Sequence, residues 1–299
     1  MISTDMLYLS YIYREMKSVP RLNMTEFERT TRSTDFLLIH PVGGRDIDKN
    51  PMHKRKCQLL MAKKRKVTHS KQSKQTAARK LVTQTNPKSV VSEQFRTLRT
   101  NINFSMPDHD LKSILFTSAA PGEGKSTASA NTAVVFAQEG KKVLLLDADM
   151  RKPTTHYTFS RTNTVGLSNL LTRQWKLDDV IQHTDIEGLD LITSGPIPPN
   201  PAELLSSKTM DVVLEQLIER YDILILDAPP VLSVTDAQLL SNKAEGTVLV
   251  LNSGISEKEA ALKAKEALLS SQANILGVVL NNFTLQKDHY YNQYYGNPE

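Results

Sequence analysis

Beyond residue 88 the apolar positions of the chain follow two alternating patterns. One is a set of short unbroken runs: Ile114 to Phe116, then "KVLLLDADMRKP", "GLDLITSG", "YDILILDAPP", "GTVLVLNSG" and "ILGVVLNN". Runs without polar alternation suit strands buried on both faces of a parallel sheet. The other pattern is a return of apolar side chains every three or four residues, as on a helix with one buried face. "PKSVVSEQFRTLRTNINFS" shows it through Val91, Phe95, Leu98 and Ile102, with Pro87 just ahead and Ser89 or Ser92 available as a cap. "PPNPAELLSSKTMDVVLEQLIERY" repeats it through Leu204, Leu205, Val212, Val213, Leu217 and Ile218. "SEKEAALKAKEALLSSQ" opens on Ser256 with Glu259 three residues on, which predicts a capping box. Strands alternating with helices predict an α/β fold, a single doubly wound, mostly parallel sheet with right-handed crossovers over residues 88–285.

The segment "SILFTSAAPGEGKSTASANTAVVFAQEG" joins a strand to a helix through a glycine loop. Gly122 and Gly124 break the strand, Ala130, Ala133, Val134 and Ala137 carry the helical period, and Gly140 stops it. Strand, glycine loop, Gly-Lys-Ser-Thr and helix, in that order, is the context of a phosphate-binding P-loop, or Walker A motif. Glycines let backbone N–H groups turn toward phosphate, and the helix N-terminus adds positive potential. Gly122, Glu123, Gly124, Lys125, Ser126 and Thr127 are therefore candidate nucleotide contacts. Lys125 has the reach for the β- and γ-phosphates of ATP, and the Ser126 hydroxyl can coordinate Mg²⁺. Ala119 stands where the usual pattern begins with glycine.

Two further strands end in acid. "KVLLLDADMRKP" delivers Asp147 and Asp149 and "YDILILDAPP" delivers Asp227, all at carboxyl ends, where open α/β sheets bind their ligands. Each alone could be a cap or turn former; three on strands beside a P-loop point to catalysis. Asp227 reads as the Walker B acid that holds Mg²⁺ through water, and Asp147 as either a second Mg²⁺ contact or the group that activates the nucleophile. Asp149 has no such defined task. Asn281 and Asn282, ending the last strand, are either turn residues or amides that read the nucleotide base. Glu93, Arg96 and Arg99 share a second face of the first helix, either as an exposed ion-paired surface or as a charged seam against a neighbouring subunit.

Composition changes the picture only at the ends. Hydrophobic residues at 39% suit a globular core, but residues 1–92 hold 19 Lys/Arg against 7 Asp/Glu, while the remainder holds 18 against 25. Between Pro51 and Ser92 there is no acidic residue, and "HKRK" and "AKKRK" concentrate positive charge without any helical or strand period. Residues 1–87 are therefore expected to be disordered. The basic arm reads as a solubilising tail or as a segment drawn to anionic lipid; lacking interleaved aromatics, it fits nucleic acid least. Residues 1–60 carry no sustained period, so Met61 is a candidate true start. "MISTDMLYLSYIY" lacks a basic n-region and is a poor signal peptide, and no apolar run of about 18 residues exists to span a bilayer. The single cysteine, Cys57, excludes an intramolecular disulfide or a cysteine-based cluster and fits a reducing cytosol. At the other end, residues 286–299 place Tyr290, Tyr291, Tyr294 and Tyr295, four of nine tyrosines, in a polar tail.

The motifs "SAAPGEGKST", "LLLDADMRKP", "PPNPAELL" and "ILILDAPP", preceded by "EQFRTLRTN" and followed by the tyrosine-rich tail, resemble the bacterial tyrosine kinases, or BY-kinases, over residues 88–295. The resemblance implies a P-loop fold of the MinD/ParA-like class using ATP and Mg²⁺. In it Lys125, Ser126 and Thr127 belong to the Walker A loop, Asp147 and Asp149 to an extra acidic A′ motif, and Asp227 to Walker B. It further implies ring-like oligomerisation through Glu93, Arg96 and Arg99. The resemblance is to the Gram-positive two-protein type, in which a separate transmembrane protein lends its cytoplasmic tail as activator and the kinase sits at the inner face of the membrane. Such kinases act in capsule and exopolysaccharide synthesis, and the four tail tyrosines become expected autophosphorylation acceptors. Two rival ATPases fit less well. A MinD/ParA-like protein carries a lysine five residues before the Walker lysine, where this chain has Ala120, and an iron–sulfur scaffold ATPase needs paired cysteines. A nucleotide-gated adaptor that transfers no phosphate is the remaining alternative.

Overall fold

The apolar runs assemble as one sheet in the computed structural model, which describes residues 6–10, by their backbone, together with 81–106 and 110–283. The basic residues 51–80, Cys57, Met61 and the four tail tyrosines lie outside the described residues. The strands are β1 (Met6–Ser10), β2 (Ser113–Ser118), β3 (Val143–Asp147), β4 (Gln182–His183), β5 (Leu189–Ile192), β6 (Ile223–Asp227), β7 (Gly246–Asn252) and β8 (Ile275–Phe283). Their order is β1-β8-β7-β2-β6-β3-β5-β4; the six strands from β8 to β5 run parallel, and β1 and β4 add antiparallel edges. β1 falls within the stretch expected to be disordered; its backbone pairs with the outer edge of β8.

The helices are α1 (Val82–Thr85), α2 (Val90–Ser105), α3 (Lys125–Gln138), α4 (Thr155–Thr158), α5 (Leu167–Leu171), α6 (Leu177–Val180), α7 (Pro201–Ser206), α8 (Lys208–Arg220), α9 (Asp236–Lys243) and α10 (Lys258–Ser270). They cover both faces of the sheet, which explains the unbroken apolar runs. Within β3, Leu144 and Leu146 point to one core with α5 to α10, while Val143 and Leu145 point to the other with α1 to α3. Each core therefore uses every second residue of the same strand. None of these helices is long and apolar enough to cross a membrane.

The first helical face is placed as its period predicts, with Phe95, Leu98 and Ile102 buried and Ser89, of the two candidates, accepting from the Ser92 amide as N-cap. The body also reaches back past residue 88. α1 docks on the P-loop helix, where the Thr83 amide and hydroxyl both donate to Asn131 Oδ1 at 3.1 and 2.9 Å, and Gln138 donates to the Thr83 carbonyl at 3.1 Å.

Two local expectations are corrected. The single helix expected from Pro201 to Arg220 is two helices, because Ser207 adopts extended backbone (ψ 154°) and caps α8 by accepting from the Met210 amide; Val212, assigned to the apolar face, is exposed. The capping box at Ser256 does not form either. Glu257 is the N-cap of α10, and the Ser256 hydroxyl donates to Glu123 in the P-loop.

Candidate active site

The P-loop folds where sequence demands it. Gly122 and Gly124 hold positive φ values of 85° and 96°, which suit residues without a Cβ. Gly124 is doubly constrained, since a Cβ there would overlap the Asn281 side-chain amide. Asn281 itself donates to the Glu123 carbonyl at 3.1 Å, so the end of β8 braces the loop from outside. Asn282 next to it, still within β8, has φ 57°, a left-handed conformation that coincides with the irregular register against β1. The Glu123 carboxylate is turned away from the ligand side. It accepts from the Ala120 amide at 2.8 Å and from Ser256, tying the loop to the β7–α10 connection. The backbone amides of Gly122, Glu123 and Gly124 make no hydrogen bond among the described residues, and α3 starts at Lys125, so its N-terminal potential opens on the same space.

Two of the three aspartates expected to converge on the P-loop contact Lys125, and the third, Asp147, lies beside Asp227. Lys125 Nζ lies 2.9 Å from Asp149 Oδ2, 3.2 Å from Asp227 Oδ1 and 3.3 Å from the Ser126 hydroxyl. Asp147 and Asp227 face each other in register at the ends of β3 and β6, both fully buried. Burial alone would lower the Lys125 pKa, but Asp227, Asp149 and Asp147 more than offset it and hold the ammonium pKa above its usual value.

The carboxylates differ in their surroundings. Burial first, and the facing Asp227 second, push Asp147 up to about 7. Its oxygens are nevertheless well supplied with donors: the Thr155 hydroxyl, the Thr154 and Thr155 amides at 3.2 and 3.1 Å, and the Asp149 amide at 3.3 Å. Burial also raises Asp227, with Lys125 and the nearby Ser126 hydroxyl pulling it back. Asp227 Oδ2 has no hydrogen-bond partner among the described residues. Asp149 divides its oxygens between Lys125 and the Lys152 amide, 3.0 Å away. Three acids against one ammonium leave a deficit of positive charge around an orphaned carboxylate oxygen, which a divalent cation would fill.

Sequence reasoning missed the groups that hold this cluster. Thr155 clasps Asp147, Ser256 anchors Glu123, and the Arg151 guanidinium grips Asp236 at the start of α9. Arg151 stands inside the quoted "DADMRKP", but its partner comes from 85 residues away and carries no local signal. The charged face of α2 separates into two parts. Arg96 pairs with Glu93 and donates to the Pro87 carbonyl at 2.9 Å, whereas Arg99 turns inward to donate to the Val135 carbonyl at 2.8 Å and lies 3.5 Å from Glu139.

Known proteins resemble this chain in sequence and fold. The family described as AAA domain matches residues 111–280. The tyrosine-protein kinase YwqD of Bacillus subtilis (strain 168) is 53% identical over 218 residues, covering 73% of this chain and 92% of its own. Among solved structures, the chimerical protein CapA2B2 aligns with a TM-score of 0.67 at 48% identity, over 69% of this chain and 90% of the other. The kinase domain of the Escherichia coli tyrosine kinase ETK aligns with a TM-score of 0.66 at 34% identity, over 71% and 85% of the two chains. The family match takes in the P-loop and all three acidic positions, and with these relatives the chain belongs to the bacterial tyrosine kinases, P-loop enzymes that transfer phosphate to protein tyrosine.

Proposed function

We propose that this kinase transfers the γ-phosphate of ATP to tyrosines of its own C-terminal cluster, acting between copies of the chain. The observation that carries the reading is the pairing of Lys125 with Asp149 and Asp227 in the P-loop, with Asp147 in register beside Asp227. The free amides of residues 122–124 and the start of α3 receive the phosphates, and Lys125 exchanges its carboxylate partners for β- and γ-phosphate oxygens. Ser126 and Asp227, with Asp147 nearby, would hold Mg²⁺, which supplies charge neutralisation on the phosphates. Mg²⁺ is a hard cation that favours oxygen ligands and keeps several waters, so the Ser126 hydroxyl and the Asp227 carboxylate would suit it with phosphate oxygens as further ligands.

Asp147 is the general base of this reading. A phenol releases its proton near pH 10, and a carboxyl raised to about 7 is a better acceptor than one near 4. The Thr155 hydroxyl and amide aim it. Asn281 and Asn282 border the loop on the β8 side, with the Asn281 amide committed to the Glu123 carbonyl and Asn282 left to meet the base.

The remaining proposals rest on the family resemblance. Glu93, Arg96 and Arg99 build a ring-like homo-oligomer; a transmembrane protein contributes its cytoplasmic tail as activator and recruits the kinase to the inner face of the membrane. The assembly regulates capsule or exopolysaccharide synthesis and export. The basic arm adds affinity for anionic lipid, testable by liposome co-sedimentation of the full chain against one starting at Val82. The central test incubates the full chain with ATP and Mg²⁺, with and without the activator's tail, and reads the C-terminal peptide by mass spectrometry. Phosphate on Tyr290, Tyr291, Tyr294 or Tyr295 is the expected result. ATP binding without any tail phosphate would favour an adaptor or a MinD/ParA-like ATPase.

A further inference from the structure

Between β3 and α4 the chain crosses residues 148–154 without regular structure, yet this short loop carries much of the site. Asp149 in it meets Lys125, the Lys152 amide holds Asp149, and the Thr154 amide holds Asp147. Its midpoint is held by the buried side chain of Met150 and by one polar side chain that reaches across to another element. Arg151 donates through Nε to Asp236 Oδ2 at 2.8 Å and through Nη2 to Asp236 Oδ1 at 2.9 Å, a fork that satisfies both carboxylate oxygens. Asp236 is fully buried although Arg151 is 39% exposed. A surface ion pair would explain little, but a carboxylate with no solvent depends on its partner, so the pairing has one geometry.

Asp236 opens α9, and the segment before it leaves β6 directly after Asp227. That segment is itself tied to the P-loop strand, the Ala228 amide donating to the Phe116 carbonyl at 3.0 Å and the Val231 amide to the Ser118 carbonyl at 2.8 Å. The fork therefore joins the exits of the two acid-bearing strands.

We propose that Arg151 and Asp236 form a positioning latch that holds Asp149 and the amides behind Asp147 in place while Lys125 engages phosphate. The inference rests on the phosphoryl-transfer reading above. Lys125 steadies Asp149; once phosphate oxygens claim the ammonium, that restraint is gone, and the latch shares the hold on the loop with buried Met150 and the Lys152 amide. Neither residue touches the reacting atoms, and both act through the loop.

Two measurements on the full chain test this. The first compares Arg151→Gln, Arg151→Lys, Asp236→Asn and the double variant Arg151→Gln/Asp236→Asn for tail phosphorylation at saturating ATP, alongside ATP affinity. The latch predicts that each of the Gln and Asn variants loses at least fivefold in kcat with less than threefold change in ATP Kd, and that the double variant is no worse than the poorer single one. Arg151→Lys, keeping one contact of the two, recovers part of the loss. A fall smaller than fivefold, or losses that multiply, overturns the latch. The second measurement is hydrogen exchange over residues 149–155 in Arg151→Gln/Asp236→Asn, which removes the latch without leaving a buried carboxylate unpaired. Exchange at least tenfold faster than in the parent is expected, and unchanged protection overturns the proposal. Because this readout needs no turnover, it separates failure of the latch from failure of the kinase reading, which the parent chain reports by itself.

Discussion

Asp147 sits where a carboxylate should not be comfortable, sealed from water and facing Asp227 across two strands. Its folded pKa, about 7, stands above the ordinary 3.8, so the folded chain binds this proton more readily than the unfolded chain. The stability tied to that proton is complete below about pH 4 and is lost as pH rises through about 7. With nucleotide and divalent cations removed by chelator, the parent should therefore lose thermal stability as pH rises from about 4 to about 7, and level off above that. Asp147→Asn should escape most of that loss, being more stable at pH 8 by roughly 1–3 kcal/mol with a gap that narrows as pH falls below about 7 and closes only near pH 4. A gap that does not vary with pH would remove the titration argument. The same variant should lose phosphoryl transfer far more than ATP binding. Lys125→Met should abolish tail phosphorylation by removing the phosphate contact, and persistent phosphorylation in that variant would contradict its assignment. Lys125, Asp147, Asp149 and Asp227 were legible in the sequence because strand ends beside a P-loop leave few other places for them. Thr155, Ser256 and Asp236 were not, because each acquires its meaning from a partner that only the folded chain brings within reach.

Among the elements, α2 illustrates what periodicity does and does not disclose. Phe95, Leu98 and Ile102 are each no more than 2% exposed and pack on the same core as the P-loop helix α3. Phe95→Ala should cost about 3–4 kcal/mol in denaturant unfolding, and a cost below about 1 kcal/mol would place that face outside the core. Apolar spacing fixed the rotation of α2 but was silent on the difference between Arg96 and Arg99, which only packing against the end of α3 reveals. The opposite failure occurs at residues 201–220, where the apolar period continues smoothly across Ser207 although the backbone breaks there. Periodicity is blind to such a break because the two helices keep their buried residues on one core. Ser207 as an N-cap was the only local signal.

For the whole molecule, the continuous apolar runs announced a parallel sheet covered on both faces, yet not that β1, from a segment without any period, adds an antiparallel edge beside β8. Charge also belongs to this scale. Each phosphate added to the tail brings about −1.5 to −2 charges beside its neighbours, so loaded tails repel one another. Native mass spectrometry should find the unphosphorylated chain assembled and the heavily phosphorylated chain dispersed; equal assembly in both states would rule out this control. Asn281, braced against the P-loop, has a geometric consequence for such assemblies. Phe283, two residues further, is the last described residue, and Tyr290 follows it by seven. Seven residues span at most about 25 Å even when fully stretched. The tail is thus a short leash rooted at the rim of one active site. Any second copy that phosphorylates Tyr290 must present its own site within that radius, so the tether length sets an upper bound on the spacing of neighbouring subunits.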